Sequence, residues 1–585
     1  MLHRNHNSAL SCFHFSSTTL RSSFGSSSTM ADRTIPLILL AVAICAIGCS
    51  HGDSVTSHAH SGSSSFLAAV YQHAVHNWYL PNITHREALK LMNTNVDVYE
   101  VQVKVASSKG VSMIVFPEYG ITGFQLSHLS IDPFLEYVPN PYKTSVNPCI
   151  QAEFKTSPIL QRLSCLARKY SIIIVANLAT MIPCNESRLQ DRDCPTGGVY
   201  KYNTDVTLGA DGKLLAKYNK EHLYAEELLM FQPGEGPDNL AVFKTDYGIF
   251  GLFTCFDMLF KEPAESLLDS LGVTNMVFPT AWMNELPLLS AVEYQEAWAI
   301  RFDVNLLAAN IQLPIALMTG GGLYAGVQGA VIYHRDMTDF HGELLIGKLP
   351  VRPKRPPKIN TKTFKDLSGQ IRNLTPENLQ MVSPIVKSIL KDTAQSSWSE
   401  TMKSSESSQE IRFSSSFTTP DKSSDKPFQS LMNHDLYTFV LLTQNTASLS
   451  VCSGVLCCHL NYTFPSMSST KRDMFALGVF NGLHKHNGQY YVQTCALVKC
   501  RLDDQSSCGA ETVQSNTRLE SFSLAIEGYD QESRLFPSVL TSDVRLAIIG
   551  KDWESEFPFD HIWSESGTEG YLLAANIYGR WYEKD

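Results

Sequence analysis

Three residues in this chain carry the side chains needed to open an amide bond together: Glu118, Lys220 and Cys255. A free cysteine thiol ionises near pH ~8.5, so attack near neutral pH needs a base and a positive neighbour. A carboxylate such as Glu118 can take the thiol proton and later give it to the leaving amine. A cation such as Lys220, with the backbone N–H of Phe256, can stabilise the oxyanion of a tetrahedral intermediate. Water activated by the same glutamate would then hydrolyse the thioester left on Cys255. No step in that sequence needs a metal or a cofactor. Singly, each residue has a plainer role: a small buried hydrophobe, a helix-start carboxylate, a solvated surface charge. Their shared placement is what joins them.

Each of the three follows an apolar run. Glu118 closes Ser112-Met-Ile-Val-Phe-Pro-Glu118, and Lys220 follows a hairpin over 199–217 with an Asp211-Gly212 turn. Cys255 stands at the end of a strand over 250–256, where the pattern changes to helix. In α/β sheets, groups just beyond strand ends converge at the functional edge. The surrounding pattern is of that kind. Strands are expected at 171–176, 275–278 and 305–309, and helices at 263–271 and 286–302. Leu89, Met92, Val96, Tyr99 and Val103 step by three and four along one helical face. Strands apolar on both faces and separated by helices give a layered α/β architecture.

Other patterns carry no chemistry. Gly320-Gly-Gly-Leu-Tyr-Ala325 fits the letters of a dinucleotide fingerprint, but residues 327–333 read as strand where that fingerprint needs a helix. His484-Lys-His486 beside Asn487-Gly488 reads as a hairpin turn, not a metal site.

At 585 residues the chain is long enough for two domains. Composition is globular, with 44% apolar and 18% charged residues, and the net charge of −10 argues against nucleic-acid or membrane-surface binding. Arg33 precedes an apolar stretch over 35–48, the length of a signal-peptide core and too short to favour a membrane span. Residues 1–50 are therefore set apart as an extension and signal peptide, with Met30 favoured as the start. No hydrophobic tail follows Trp581, so a soluble product without a GPI anchor is expected. Of 14 cysteines, Cys12, Cys45 and Cys49 fall in or before the signal, which leaves an odd eleven. Ten can pair as five disulfides in an oxidising compartment and leave one free thiol. Cys184 and Cys194 can close a local loop, while the six cysteines from Cys452 to Cys508 leave every pairing open. Sequons at Asn82, Asn185, Asn373 and Asn461 fit a secreted glycoprotein.

The domain reading is an α/β catalytic domain over 64–351, a Ser/Lys-rich linker over 352–430, and a β-rich, disulfide-stapled domain over 431–585. Pro117-Glu118, Lys220 and Thr254-Cys255-Phe256-Asp257, in that order, resemble the Glu–Lys–Cys triad of the nitrilase (carbon–nitrogen hydrolase) superfamily. Phe278-Pro-Thr-Ala-Trp-Met-Asn284 is similar to its pocket-lining stretch, and it resembles the biotinidase and vanin branch in particular. So do Leu456-Cys-Cys-His459 and Ala476-Leu-Gly-Val-Phe-Asn-Gly-Leu-His484. The resemblance spans nearly the whole mature chain and departs from the branch at the Ser-rich linker. It also departs at Tyr119, a position often acidic in both groups.

That resemblance implies a nitrilase-type αββα sandwich with Phe256, Thr280 and Trp282 at the substrate pocket. It implies a secreted, monomeric, cofactor-free amidohydrolase with a small-molecule or peptide amide as its partner. Glu118-Tyr-Gly-Ile-Thr-Gly-Phe124 and Leu286-Pro-Leu-Leu289 are similar to biotinidases, which release biotin from biocytin and biotinyl-peptides. Ser290-Ala-Val-Glu293 and Ala297-Trp298 are similar to vanins, which split pantetheine into pantothenate and cysteamine. A catalytically silent vitamin-binding glycoprotein is the rival of another class. It would need neither the nucleophile nor its base.

Overall fold

The computed structural model describes residues 64–77, 82–124, 131–184, 194–195, 197–236, 239–352, 426–466 and 472–585. The leader, the sequons at Asn185 and Asn373, and the stretch 353–425 lie outside the described residues.

Thirteen strands precede residue 351: β1 (Ser65–Gln72), β2 (Met113–Val115), β3 (Glu136–Tyr137), β4 (Ile173–Pro183), β5 (Val199–Leu208), β6 (Leu214–Asn219), β7 (Val242–Thr245), β8 (Gly248–Leu252), β9 (Asn275–Thr280), β10 (Asn305–Asn310), β11 (Gly321–Ala325), β12 (Ala330–His334) and β13 (Glu343–Pro350). They form two sheets, ordered β13-β1-β2-β4-β5-β6, with β3 beside β4, and β12-β11-β10-β9-β8-β7.

Side-chain alternation decides which face meets what. In β1, Phe66, Ala68 and Val70 enter the space between the sheets, where they join Phe250, Leu252, Val277 and Leu307. Ala69 and Tyr71 point the other way, into a core shared with α1 (His85–Ser108) and α2 (Pro158–Tyr170). On the second sheet, Met276, Phe278, Leu306 and Ala308 share a core with α3 (Ala291–Phe302). The layers are therefore αββα, as expected. Met92, Val96, Tyr99 and Val103 form the buried face of α1, and Leu89 sits at its margin.

Three expected elements differ. The strand over 250–256 ends at Leu252, and Cys255 opens a short 3-10 turn, Cys255–Leu259. The helix expected over 263–271 is helical over 264–270, with Ser266–Ser270 wound as a π-turn. The helix expected over 286–302 starts at Ala291. Glu285 and Leu289 instead close a small backbone bridge at 3.2 and 2.8 Å, and Asn284 Oδ1 accepts the Ala291 N–H at 3.0 Å. That cap stops the helix from extending backwards.

The second domain is a seven-stranded sheet over a five-stranded one. Leu456, Cys458, Leu460 and Tyr462 alternate into the core between them. Its first strand, Phe428–Met432, begins inside the stretch read as linker. Disulfides join Cys149–Cys165, Cys184–Cys194, Cys452–Cys457, Cys458–Cys495 and Cys500–Cys508. Cys255 is left free, as the odd count required.

The two domains share a core through α3. Tyr294 meets the rings of Phe536 and Tyr578 at 5.3 and 5.7 Å. Beside them the buried Glu293 carboxylate accepts from Ser290, Ser538 and Asn576 at 3.0, 2.7 and 2.9 Å. β11 leads through a turn into β12, so Gly320–Ala325 has no helix to serve a dinucleotide. Asn82 is exposed just before α1, while Asn461 Oδ1 accepts from Ser448 Oγ at 2.6 Å. No helix among the described residues is long and apolar enough to cross a membrane.

Candidate active site

Glu118, Lys220 and Cys255 meet at one end of the two sheets. Glu118 and Lys220 are 1% exposed and Cys255 is 9% exposed. β2 delivers Glu118, β6 delivers Lys220, and β8 delivers Cys255. Cys255 has φ +47°, a left-handed conformation that costs a non-glycine residue energy and aims its side chain off the strand.

A buried polar frame from β4 and β5 holds this geometry. Thr254, just before the nucleophile candidate, donates its hydroxyl to Asp205 at 2.6 Å. Asn177 donates to Asp205 at 2.8 Å and to Asn203 at 2.6 Å, and it accepts the Tyr119 N–H at 3.0 Å. The residue before Cys255 and the residue after Glu118 are thus tied to neighbouring strands. Thr254 N also donates to Asp257 at 2.9 Å, which closes the turn behind the thiol. Burial holds the Asp205 carboxyl well above the usual range.

Lys220 Nζ donates to Glu118 Oε1 at 2.8 Å and to Glu227 Oε2 at 2.6 Å. Glu118 also accepts from Asn203 Nδ2 at 2.8 Å and from Ala281 N at 2.9 Å. Its pKa is raised, first by burial and then by Glu227, while Lys220 pulls it down. For Lys220, burial opposes the charge, but Glu118 and Glu227 outweigh it and the ammonium is held. Burial and the Glu118 charge raise the Cys255 thiol, against weaker pulls from Lys220 and the Thr280 hydroxyl. The resting site therefore pairs a protonated thiol with a carboxylate that can accept its proton.

Phe256 and Trp282 line a cavity of about 290 Å³ that reaches Cys255. Thr280, expected on the wall, is fully buried at the end of β9 behind the thiol. Phe256 is the second residue of the turn, so its N–H has no acceptor within that turn and can serve an oxyanion.

Several site residues were not legible in the sequence. Glu227 sits in the 3-10 turn Ala225–Leu229 and accepts from Lys220, Asn203, Tyr224 N and the Tyr119 hydroxyl. Nothing in its spacing from Lys220 marks it, because the loop path decides its place. A second group comes from the other domain. The hairpin joining Phe475–His484 to Tyr490–Lys499 brings His484, His486, Asn487 and Tyr490 to the cavity wall. Asn487 Nδ2 donates to the Tyr224 hydroxyl at 2.7 Å, bridging the domains across the cavity mouth. Gly488 lets the hairpin approach, since a Cβ there would stand 2.6 Å from the Phe256 ring. His484 is committed to Asp435 and the His486 carbonyl at 2.8 and 2.9 Å, which fits the turn reading. Among the described residues no three His, Cys, Asp or Glu side chains converge as a metal-ligand set.

Residues 67–290 match the carbon-nitrogen hydrolase family, and residues 426–585 match the vanin C-terminal domain. The chain is 38% identical over 550 residues to a biotinidase of Mus musculus, covering 92% of this chain and 98% of that protein. It is 37% identical over 535 residues to a pantetheinase of Bos taurus, covering 90% of this chain and 91% of that protein. The crystal structure of an amidase from Nesterenkonia sp. aligns at 20% identity and TM-score 0.37, covering 52% of this chain and 97% of that one.

Proposed function

The chain belongs to the biotinidase and vanin branch of the carbon–nitrogen hydrolase (nitrilase) superfamily and is an amidohydrolase, and from that premise we propose that it releases biotin from biocytin and biotinyl-peptides through a thioester on Cys255. The observation that carries the choice of acyl group is where the branch-specific residues fall. Phe124 and Leu289, from the two biotinidase-like strings, line the cavity. The vanin-like residues Val292, Glu293, Ala297 and Trp298 lie in α3, packed toward the second sheet and the second domain.

In this reading Glu118 takes the Cys255 proton as sulfur attacks the amide carbonyl, so no free thiolate has to persist in a buried site. Lys220 and the Phe256 N–H receive the charge that grows on the carbonyl oxygen. Glu118 returns the proton to the departing amine and then draws one from the water that cleaves the thioester. Glu227 keeps the ammonium of Lys220 in place between two carboxylates. The five disulfides favour an oxidising compartment, and the protein is read as a secreted monomer with Asn82, Asn185, Asn373 and Asn461 as glycan acceptors. The test compares kcat/KM for a biotinyl amide and for a pantetheine amide carrying the same reporter. Preference for the biotinyl amide is expected, and preference for the pantetheine amide overturns the choice.

A further inference from the structure

Among the wall residues on the connection from β9 to α3 is one charged side chain, Glu285. Its backbone is fixed on both sides. It bridges Leu289 in both directions, and its carbonyl also accepts from Asn433 Nδ2 at 3.2 Å. Its carboxylate forms no hydrogen bond or ion pair with any described residue, although it is half-buried in the cavity wall. Arg335 and His484 are engaged elsewhere, and the His486 ring in the same wall stacks on His434 at 3.6 Å. Arg335 donates to Asn284 at 3.5 Å, and Arg335 and Arg501 act on Glu511, which adds a further negative charge near Glu285. The ring nitrogens of His484 are both taken.

Three aromatic rings stand in the same wall. Tyr224 and Phe256 meet edge to face at 5.1 Å, whereas the Tyr490 ring already carries the Arg580 guanidinium at 4.7 Å and the His484 ring at 4.5 Å. The Glu285 charge reaches two of them, because after burial it is the leading influence holding the Tyr224 hydroxyl up at about 12, and it also raises Tyr490. A half-buried carboxylate with no protein partner attracts an arriving cation, and aromatic faces add attraction for the same cation.

We infer that Glu285, with Tyr224 and Phe256, forms a subsite for a positively charged group on the amine half of the substrate amide. This rests on the amidohydrolase reading above. The biotinyl and pantothenoyl acyl groups are both uncharged, so the cation has to come from the amine side. The α-ammonium of lysine or a neighbouring cationic residue of a peptide supplies it, whereas the mercaptoethyl amine half of pantetheine does not.

The experiment measures kcat/KM for amides of three amines with matched chain length: 1,5-diaminopentane, pentylamine and 6-aminohexanoate. Each is prepared with a biotinyl and with a pantothenoyl acyl group. The subsite gives the order cationic, neutral, anionic, with roughly a fivefold preference for cationic over neutral. That preference shrinks with added salt in the unmodified enzyme, a readout that needs no variant. Glu285→Gln brings the cationic-to-neutral ratio to about one, and Glu285→Lys reverses the order. Equal rates for the three amines, or an undiminished ratio in Glu285→Gln, overturn the inference. Turnover of the pantothenoyl series alone overturns the biotin assignment, while the charge order within that series still decides the subsite. Turnover of neither series overturns both.

Discussion

Replacing Tyr119 with Phe removes a single hydroxyl from the site. Tyr119 is 5% exposed, and its O–H donates to Glu227 Oε1. Three other donors hold Glu227: Lys220 Nζ at 2.6 Å, Tyr224 N at 2.7 Å and Asn203 Nδ2 at 2.8 Å. A hydrogen bond to a charged group contributes about 1.5–3 kcal/mol, and three surviving donors place this one at the low end. If about 1.5 kcal/mol of the positioning of Lys220 is lost, kcat falls roughly tenfold. The phenylalanine ring still fills the cavity wall, so KM changes less than kcat. The direction of the pH effect follows from the charges. Glu118 is already raised by burial and then by Glu227. With one donor gone, the Glu227 charge is less compensated and Glu118 rises further. The acid limb of kcat/KM therefore moves to higher pH. Steady-state kinetics across pH 4–9 read both effects. A variant within twofold of the parent, with an unmoved acid limb, refutes the role given to Glu227 and its donors.

Three further outcomes follow from the structure. Asn487→Ala cuts the bridge to Tyr224, and loss of about 1 kcal/mol appears as roughly a fivefold rise in KM, because the second domain then closes the cavity mouth less firmly. Arg580 is fully buried and donates from Nε to the Leu259 carbonyl at 2.8 Å and from its guanidinium to Asp585 at 2.7 Å. Arg580→Ala strands those acceptors at about 3–5 kcal/mol, read as a large fall in thermal midpoint. Burial raises Glu293 to about 7 from an ordinary value of 4.5, so the folded state holds its proton more tightly than the unfolded chain. Its contribution is fully present below about pH 4.5 and is lost as pH rises toward 7, so Glu293→Gln flattens the decline in thermal midpoint across that window.

The triad was legible because each member follows an apolar strand run, and a parallel-sheet architecture collects such positions at one edge. Cys255 gained further support from the odd cysteine count, since the other ten cysteines outside the leader pair with one another. Glu227 and the hairpin at 484–490 were not legible as site residues. Local pattern reveals a turn, but it does not reveal which distant surface that turn meets. The helix drawn back to 286 shows the same limit. Leu286, Leu288 and Leu289 are apolar and buried, yet the side-chain cap from Asn284 and the Glu285–Leu289 bridge keep them out of α3. Thr280 reads as a pocket residue, but it is fully buried at the end of β9 and does not line the cavity.

Thioester catalysis requires a covalent bond from the substrate acyl group to Cys255. Rapid mixing of the enzyme with an activated biotinyl ester, acid quenching and peptide mass spectrometry test it directly. One biotinyl group is expected on the peptide containing Cys255, labile to hydroxylamine as a thioester, with neither label nor hydrolysis in Cys255→Ser. Label on another residue, or full hydrolytic activity in Cys255→Ser, would contradict it.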